Sequence, residues 1–213
     1  TQSRSSAASD VYKRQVLQAG NGQNVARQIA LNSGLPVDVP AMTINEVCGS
    51  GMKAVILARQ LIQLGEAELV IAGGTESMSQ APMLKQYQSE TNEYGEPISS
   101  MVNDGLTDAF SNAHMGLTAE NVATQFSVSR EEQDRYALSS QLKAAHAVEA
   151  GVFSEEIIPV KISDEDVLSE DEAVRGNSTL EKLGTLRTVF SEEGTVTAGN
   201  ACLLYTSDAA DDL

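Results

Sequence analysis

The sequence predicts an α/β protein that carries a smaller, inserted α+β region. An apolar strand at residues 41–47, a helix at 51–64 that is apolar nearly all round, and an apolar strand at 69–72 follow one another directly. Two strands joined by a buried helix indicate a parallel sheet that is covered on both faces. From about Met78 the apolar density falls and amphipathic helices replace this alternation, which indicates a second region.

The first region consists of strands and helices in alternation. A helix is predicted over 24–33 and ends at Gly34, and Gly65 ends the helix at 51–64. Because the helix at 51–64 is apolar nearly all round, we expect it to be buried on most faces. The strand at 69–72 opens into Gly73-Gly74-Thr75-Glu76, which lacks the spacing of a phosphate-binding loop, so nucleotide binding at this turn is not expected.

The second region combines an irregular stretch with amphipathic helices. Residues 86–100 are polar and predict an irregular segment, whereas 118–126 and 130–150 have the apolar spacing of helices. Strands are predicted at 157–160 and around Val196, and the acidic run at 163–172 is expected to be a solvated loop.

The residue patterns at both ends of the chain are typical of translated adapter DNA. Residues 5–15 (SSAASDVYKRQ) and 202–212 (CLLYTSDAADD) are compatible with the two opposite strands of one DNA segment, which resembles a transposon-end adapter used in sequencing libraries. We therefore expect 1–15 and 202–213 to be adapter translation and leave them out of the fold prediction. The natural N-terminus is then expected to lie outside the sequence, so a secretory signal stays open. The coding DNA of residues 5–15 tests this interpretation.

The net charge and the cysteine content exclude several classes of function for this chain. The formal net charge is −16, and the part between the two tails is almost as acidic. Such a surface repels polyanions, so we expect neither nucleic acid nor a membrane as a partner. No apolar run approaches the roughly 20 residues that span a bilayer. Between the tails Cys48 is the only cysteine, which excludes a disulfide framework there and suits a reducing cytoplasm.

Cys48 lies between a short apolar strand and a long apolar helix. A thiolate is the attacking form of cysteine, and the unpaired N–H groups and positive dipole end at a helix N-terminus favour it. Gly49 and Gly51 allow a sharp turn and the close approach of a substrate. The alternative is a buried structural cysteine that packs like a small hydrophobic residue. The local pattern leaves both interpretations open.

Four motifs in order give the chain a family resemblance. INEVCGSGMKAV, IAGGTESMSQAP, DGLTDAF followed by HMG and TAENVA, and GTVTAGNA resemble the thiolases, specifically the acetyl-CoA acetyltransferase branch, across 16–201. The resemblance implies a partial thiolase-like N-terminal half, a βαβαβ-type sheet layer with an inserted α+β loop domain. The implied divisions are a core at 16–77, the loop domain at 78–193 and a return to the core at 194–201.

The same resemblance implies site residues. Cys48 matches the acyl-accepting nucleophile, and His114, Met115 and Leu106 match the lining of the acyl pocket. The implied contacts to coenzyme A are Arg175 at the nucleotide end, Ala198 at the pantetheine arm and Lys182, which stands where some members have a serine. The alternatives are a core or turn histidine at 114, a packing methionine at 115, a surface ion pair at Arg175 and no role for Lys182.

The implied function is that of an acetyl-CoA C-acetyltransferase, which condenses two acetyl-CoA or runs the thiolytic reverse. No metal or redox cofactor is expected, since coenzyme A arrives with the substrate, and the parent protein is expected to be a homotetramer or homodimer. The catalytic His, a second Cys and an Asn are expected beyond this chain. A 3-ketoacyl-CoA thiolase of longer-chain preference, a ketoacyl carrier-protein synthase and an inactive truncated fragment stay open as alternatives.

Overall fold

The computed structural model describes residues 9–14, for which the backbone alone is considered, and residues 17–201. The chain divides into two compact units between Asn112 and Ala113. We call the described residues up to Asn112 the first unit and those from Ala113 the second unit. Residues 78–112 thus belong to the first unit and 194–201 to the second. The domain limits implied at 77/78 and 193/194 stay predictions.

The first unit contains a three-stranded parallel sheet. Its strands are β1 (Ser9–Arg14), β2 (Ala41–Ile44) and β3 (Leu69–Gly74), in the order β2-β1-β3. Helix α1 (Val25–Asn32) precedes β2, and helix α2 (Ser50–Leu64) connects β2 to β3. The α/β class is confirmed. The middle strand β1 lies in the segment that the sequence attributes to adapter DNA, and the origin of that segment stays a prediction.

The two helices pack on opposite faces of the sheet through alanines. Ala26 and Ala30 of α1 contact Leu35 and, on β2, Ala41. Ala54 and Ala58 of α2 contact Ile44 of β2, three positions after Ala41, and Val70 and Ala72 of β3. Since successive strand residues point to opposite faces, these contacts lie on the two sides of the sheet.

The expected burial of helix 51–64 on most of its faces is wrong for this chain, and the two helices cover the two faces of the sheet only in part. In α2 only Ser50, Ala54 and Ala58 are buried, while Val55 is 60% exposed and Leu64 73% exposed. Leu69 and Ile71 of β3 are exposed as well. The physical reason is that a sheet of three strands covers only a narrow stripe of a helix, and the remaining apolar surface has no partner among the described residues.

The rest of the first unit is more ordered than the sequence predicts. A 3-10 turn at Met78–Gln80 leads into two short antiparallel strand pairs, whose ranges are given below, and a π-helical segment follows at Met101–Leu106. The stretch predicted to be irregular, 86–100, therefore holds a hairpin. Ladders of two residues are too short to show a period in the sequence. The four strands are β4 (Met83–Leu84), β5 (Tyr87–Gln88), β6 (Glu93–Tyr94) and β7 (Ile98–Ser99).

The second unit is built mainly from helices. These are α3 (Met115–Phe126), α4 (Arg130–Glu149) and α5 (Leu180–Gly184). Helix α4 starts where the sequence predicts, because Ser129 and Glu132 form a capping box. Helix α3 starts three residues earlier than predicted, because the His114 side chain caps it by accepting from the Gly116 N–H.

The strands of the second unit differ from the prediction. The predicted strand at 157–160 is reduced to β8 (Val160–Lys161), which pairs with β9 (Val167–Leu168). The acidic run is exposed, as predicted, but it contains β9 and so belongs to a hairpin. Val196 is not in a strand; beside it a single bridge joins Thr188 and Thr197.

Candidate active site

Cys48 lies in the turn between β2 and α2, one residue before Gly49, which caps the helix. The cysteine is exposed, so the alternative of a buried structural cysteine is wrong. The preceding Val47 has φ +51°, in the left-handed region that β-branched residues rarely adopt. This backbone reversal leads the chain from the strand into the helix. The turn therefore places an accessible thiol at the N-terminal end of α2.

A buried hydroxyl holds this turn. Ser50 is fully buried, its Oγ–H donates to the carbonyl oxygen of Val47 at 2.6 Å, and its Oγ accepts from the N–H of Glu46 at 2.7 Å. The carboxylate of Glu46 also pairs with the Lys53 ammonium at 3.0 Å; the Lys53 side chain is half-buried and the Glu46 side chain is exposed. The sequence-based prediction does not include Ser50. Its position as the first helical residue, two places after a candidate nucleophile, is the only local signal of such a role.

The HMG turn of the second unit is anchored on an aromatic ring. His114 stacks on Phe190 with a centroid separation of 4.9 Å and an interplanar angle of 27°. Its Nδ1 accepts from the Gly116 N–H at 3.0 Å, so a neutral His114 carries its proton on Nε2. A Cβ on Gly116 would lie 2.3 Å from the Phe190 ring, and only glycine permits this approach. Met115, the first residue of α3, is 37% exposed.

A carboxylate of α3 fixes the start of the GTVTAGNA segment, residues 194–201. Glu120 accepts from the N–H groups of Thr195 and Val196, each at 2.8 Å at its shortest, and from the Thr195 hydroxyl at 3.0 Å. Burial raises the pKa of Glu120, but these hydrogen bonds outweigh that effect and hold the pKa below its ordinary value. A Cβ on Gly194 would lie 2.3 Å from the carboxylate, so the close approach requires glycine.

A second carboxylate, on α4, fixes the end of the same segment. Asp134 is buried, accepts from the Asn200 amide at 3.0 Å and pairs with the Arg130 guanidinium at 2.7 Å. Asn200 also accepts from the Thr197 N–H at 2.7 Å, and Arg130 donates to the carbonyl oxygens of Leu183 and Leu186. Glu120, Asp134 and Asn200 are not predicted from the sequence to hold this segment, because their partners lie more than 60 positions away or in a turn.

The residues expected to contact coenzyme A are exposed. Ala198 is exposed and lies at the tip of the segment 194–201, next to the bridge that joins Thr188 and Thr197. The Arg175 guanidinium has no ion pair in the described part of the chain, so the surface ion-pair alternative is wrong there. Lys182 follows on α5, and its ammonium donates to the Asn177 carbonyl oxygen at 3.1 Å.

The expected site residues fall in both units. Cys48 and the half-buried Leu106, the last residue of the π-helical segment, belong to the first unit, and the other five belong to the second. Within residues 9–14 and 17–201 no group of three or more His, Cys, Asp and Glu side chains is arranged to hold a metal ion. None of the helices in these ranges is long and apolar enough to cross a membrane.

Comparison with known proteins identifies the family. The family model described as "Thiolase, N-terminal domain" matches residues 4–211. A protein of Staphylococcus epidermidis named "Probable acetyl-CoA acyltransferase" is 50% identical over 198 residues, which cover 90% of this chain and 50% of that protein. A Staphylococcus aureus protein of the same name is 52% identical over 192 residues, covering 87% of this chain and 49% of that protein. The chain thus spans about half the length of these relatives. It belongs to the thiolase family and corresponds to the family's N-terminal domain.

Proposed function

We propose that this chain is the nucleophile-bearing part of an acetyl-CoA C-acetyltransferase, with Cys48 as the acyl-accepting residue. The observation that carries the proposal is the exposed Cys48 thiol at the N-terminal end of α2, in a chain of the thiolase family. The thiolate attacks the carbonyl carbon of an acyl-CoA thioester and forms a new C–S bond. The bond to the coenzyme A sulfur then breaks, coenzyme A leaves as the thiolate, and the acyl group stays on Cys48 as a thioester.

The second unit supplies groups suited to the rest of the substrate. The exposed Arg175 guanidinium and the Lys182 ammonium are cations that suit phosphate groups. The exposed backbone of Ala198 is accessible to the amides of a pantetheine arm. The family resemblance supports an assignment of His114 and Met115 in this unit, and separately of Leu106 in the first unit, as acyl-pocket residues of the parent protein. Coenzyme A arrives with the substrate, so the proposal needs no metal or redox cofactor.

We propose that the parent protein supplies the remaining catalytic groups from outside this chain. These are the His base, the second cysteine that deprotonates the second acetyl-CoA, and the Asn implied by the family resemblance. The chain of 213 residues is then expected to lack turnover. We further propose that the parent acts in the cytoplasm as a homodimer or homotetramer.

The test separates acyl transfer to Cys48 from turnover. The full chain is incubated with acetyl-CoA, and the peptide containing Cys48 is examined by mass spectrometry for an acetyl thioester that hydroxylamine removes. The expected result is acetylation of Cys48 in the wild type, none in Cys48→Ser, and no sustained thiolysis of acetoacetyl-CoA. The same incubation is made with the full-length parent, which carries the proposed His base. A Cys48 that stays unmodified in both proteins contradicts its role as acyl acceptor, and sustained thiolysis by the 213-residue chain that vanishes in Cys48→Ser contradicts the expected lack of turnover.

The length of the acyl chain is a separate question. The relatives are named for acetyl-CoA, whereas a 3-ketoacyl-CoA thiolase of longer-chain preference uses the same cysteine chemistry. Thiolysis kinetics on the full-length parent with acetoacetyl-CoA and a longer 3-ketoacyl-CoA distinguish the two. A higher kcat/KM for the longer substrate contradicts the acetyl assignment.

A further inference from the structure

We propose that Ser50 is a positioning residue for Cys48, which deepens the function proposed above and rests on it. Ser50 is fully buried, and its hydroxyl serves as donor to the Val47 carbonyl and as acceptor from the Glu46 N–H. These two hydrogen bonds lie on either side of the Val47 Cα. They therefore fix the backbone that enters Cys48, although Ser50 itself is not required to touch a substrate.

The turn needs such a restraint because it is strained. Val47 has φ +51°, and a β-branched side chain in the left-handed region carries a steric penalty. Val47 is 48% exposed, so little packing of its side chain offsets that penalty. What holds the conformation is a set of polar contacts. The Ser50 hydroxyl makes two of them, and the Ser50 N–H also donates to the Val47 carbonyl at 3.2 Å. The Val47 N–H donates to Asn45 Oδ1 at 2.9 Å, and the Gly49 N–H donates to the Glu46 carbonyl at 3.1 Å.

The direction of the Cys48 side chain depends on this restraint. When Val47 leaves the left-handed region, the peptide plane between residues 47 and 48 rotates and the Cα–Cβ bond of Cys48 turns with it. The thiolate then loses its fixed position at the positive end of α2. The Ser50 hydroxyl thus keeps Val47 in its strained conformation, and this conformation fixes the position of the Cys48 side chain.

The test measures the alkylation rate of Cys48 by iodoacetamide in the full chain, over a pH series, by peptide-resolved mass spectrometry. Cys202, the other cysteine of the sequence, is the internal reference. We expect Ser50→Ala to slow alkylation of Cys48 about tenfold, the factor equivalent to one net hydrogen bond, and to leave the rate at Cys202 unchanged. Ser50→Thr keeps a hydroxyl and is expected to restore most of the rate.

A double-mutant cycle distinguishes positioning from general destabilisation. Glycine adopts the left-handed region without strain, so in a Val47→Gly background Ser50→Ala should slow Cys48 by less than about threefold. The matched control is Val37→Gly, since Val37 is an exposed valine with an ordinary φ. Both glycine substitutions increase the conformational entropy of the unfolded chain, but only Val47→Gly also relieves strain in the folded state. Val47→Gly should therefore be at least as stable to heat as Val37→Gly.

Three results overturn the proposal: an alkylation rate in Ser50→Ala within twofold of the wild type, an equal loss in both backgrounds, or a Val47→Gly protein less stable than the control. Should Ser50→Ala fail to fold by circular dichroism, the comparison of the two glycine variants decides. The ratios of alkylation rates are measured with iodoacetamide, so they test the role of Ser50 independently of acetyl-CoA. A failure of acetyl-CoA to acetylate Cys48 contradicts the proposed function and leaves these ratios unaffected.

Discussion

The carboxylate of Glu120 holds the segment 194–201, and Glu120→Ala should release it. In the wild type this carboxylate accepts from two backbone N–H groups and one hydroxyl, all belonging to Thr195 and Val196. Val196 is only 5% exposed, so its N–H has little access to water when the acceptor is removed. Gln133 can still donate to the Thr195 hydroxyl, which leaves the two N–H groups as the main loss.

The size of the effect follows from these contacts. A hydrogen bond to a charged acceptor contributes about 1.5–3 kcal/mol, and a buried N–H left without a partner costs about 1–3 kcal/mol. Because the site is partly open, we expect local opening of the segment to become easier by about 2–3 kcal/mol. Since 1.4 kcal/mol is a factor of ten, amide exchange at Val196 should accelerate about 30- to 140-fold, as measured by NMR on the full chain.

The pH dependence of the same amide provides a second readout. The folded-state pKa of Glu120 lies below the ordinary value of 4.5, so ionisation stabilises the folded segment. That contribution is fully present above pH 4.5 and is lost as the pH falls through the lower folded-state value. Glu120→Gln should abolish this pH dependence, whereas Glu149→Gln, at an exposed residue that ends α4, should preserve it. Exchange at Val196 within twofold of the wild type in Glu120→Ala refutes the reasoning.

Two further predictions concern packing and topology. Gly116→Ala should destabilise the second unit by about 1–3 kcal/mol in urea unfolding, because its Cβ collides with the Phe190 ring, whereas Gly184→Ala, which meets nothing within 4 Å, should change stability by less than about 1 kcal/mol. Equal effects of the two substitutions contradict the contact. Deleting residues 1–15 should unfold the sheet of the first unit, because among the described strands β2 and β3 each pair with β1 and not with each other. Removal of 202–213 is the matched truncation. If the far-ultraviolet circular dichroism signal falls no further in the first truncation than in the second, the topology is contradicted.

Local rules in the sequence predict most of the helices. Gly65 adopts φ +71° and ends α2, and Ser129 with Glu132 forms the capping box that starts α4. These signals depend on residues within four positions of each other, so no tertiary contact is needed to read them. The start of α3 was misplaced, since histidine is an uncommon cap and its role appears only in the geometry of His114 and Gly116.

The sequence also points to a candidate nucleophile. Cys48 between a strand and a helix, followed by glycines, is a local pattern, and the structure confirms the turn and the exposed thiol. Ser50 is equally local but needs the fold to be recognised, because a serine gains its role only when it is buried with two partners.

What the sequence by itself determines is the family, the fold class, most of the helices and the candidate nucleophile, because each depends on residue types at short spacing. Only the tertiary structure decides that β1 is the middle strand of the sheet. It alone shows that α2 leaves most of its apolar surface exposed in this chain. It also shows that Glu120 and Asp134 hold the segment 194–201. These features depend on which surfaces meet across large separations in the chain, and such pairings have no periodic signature in the sequence.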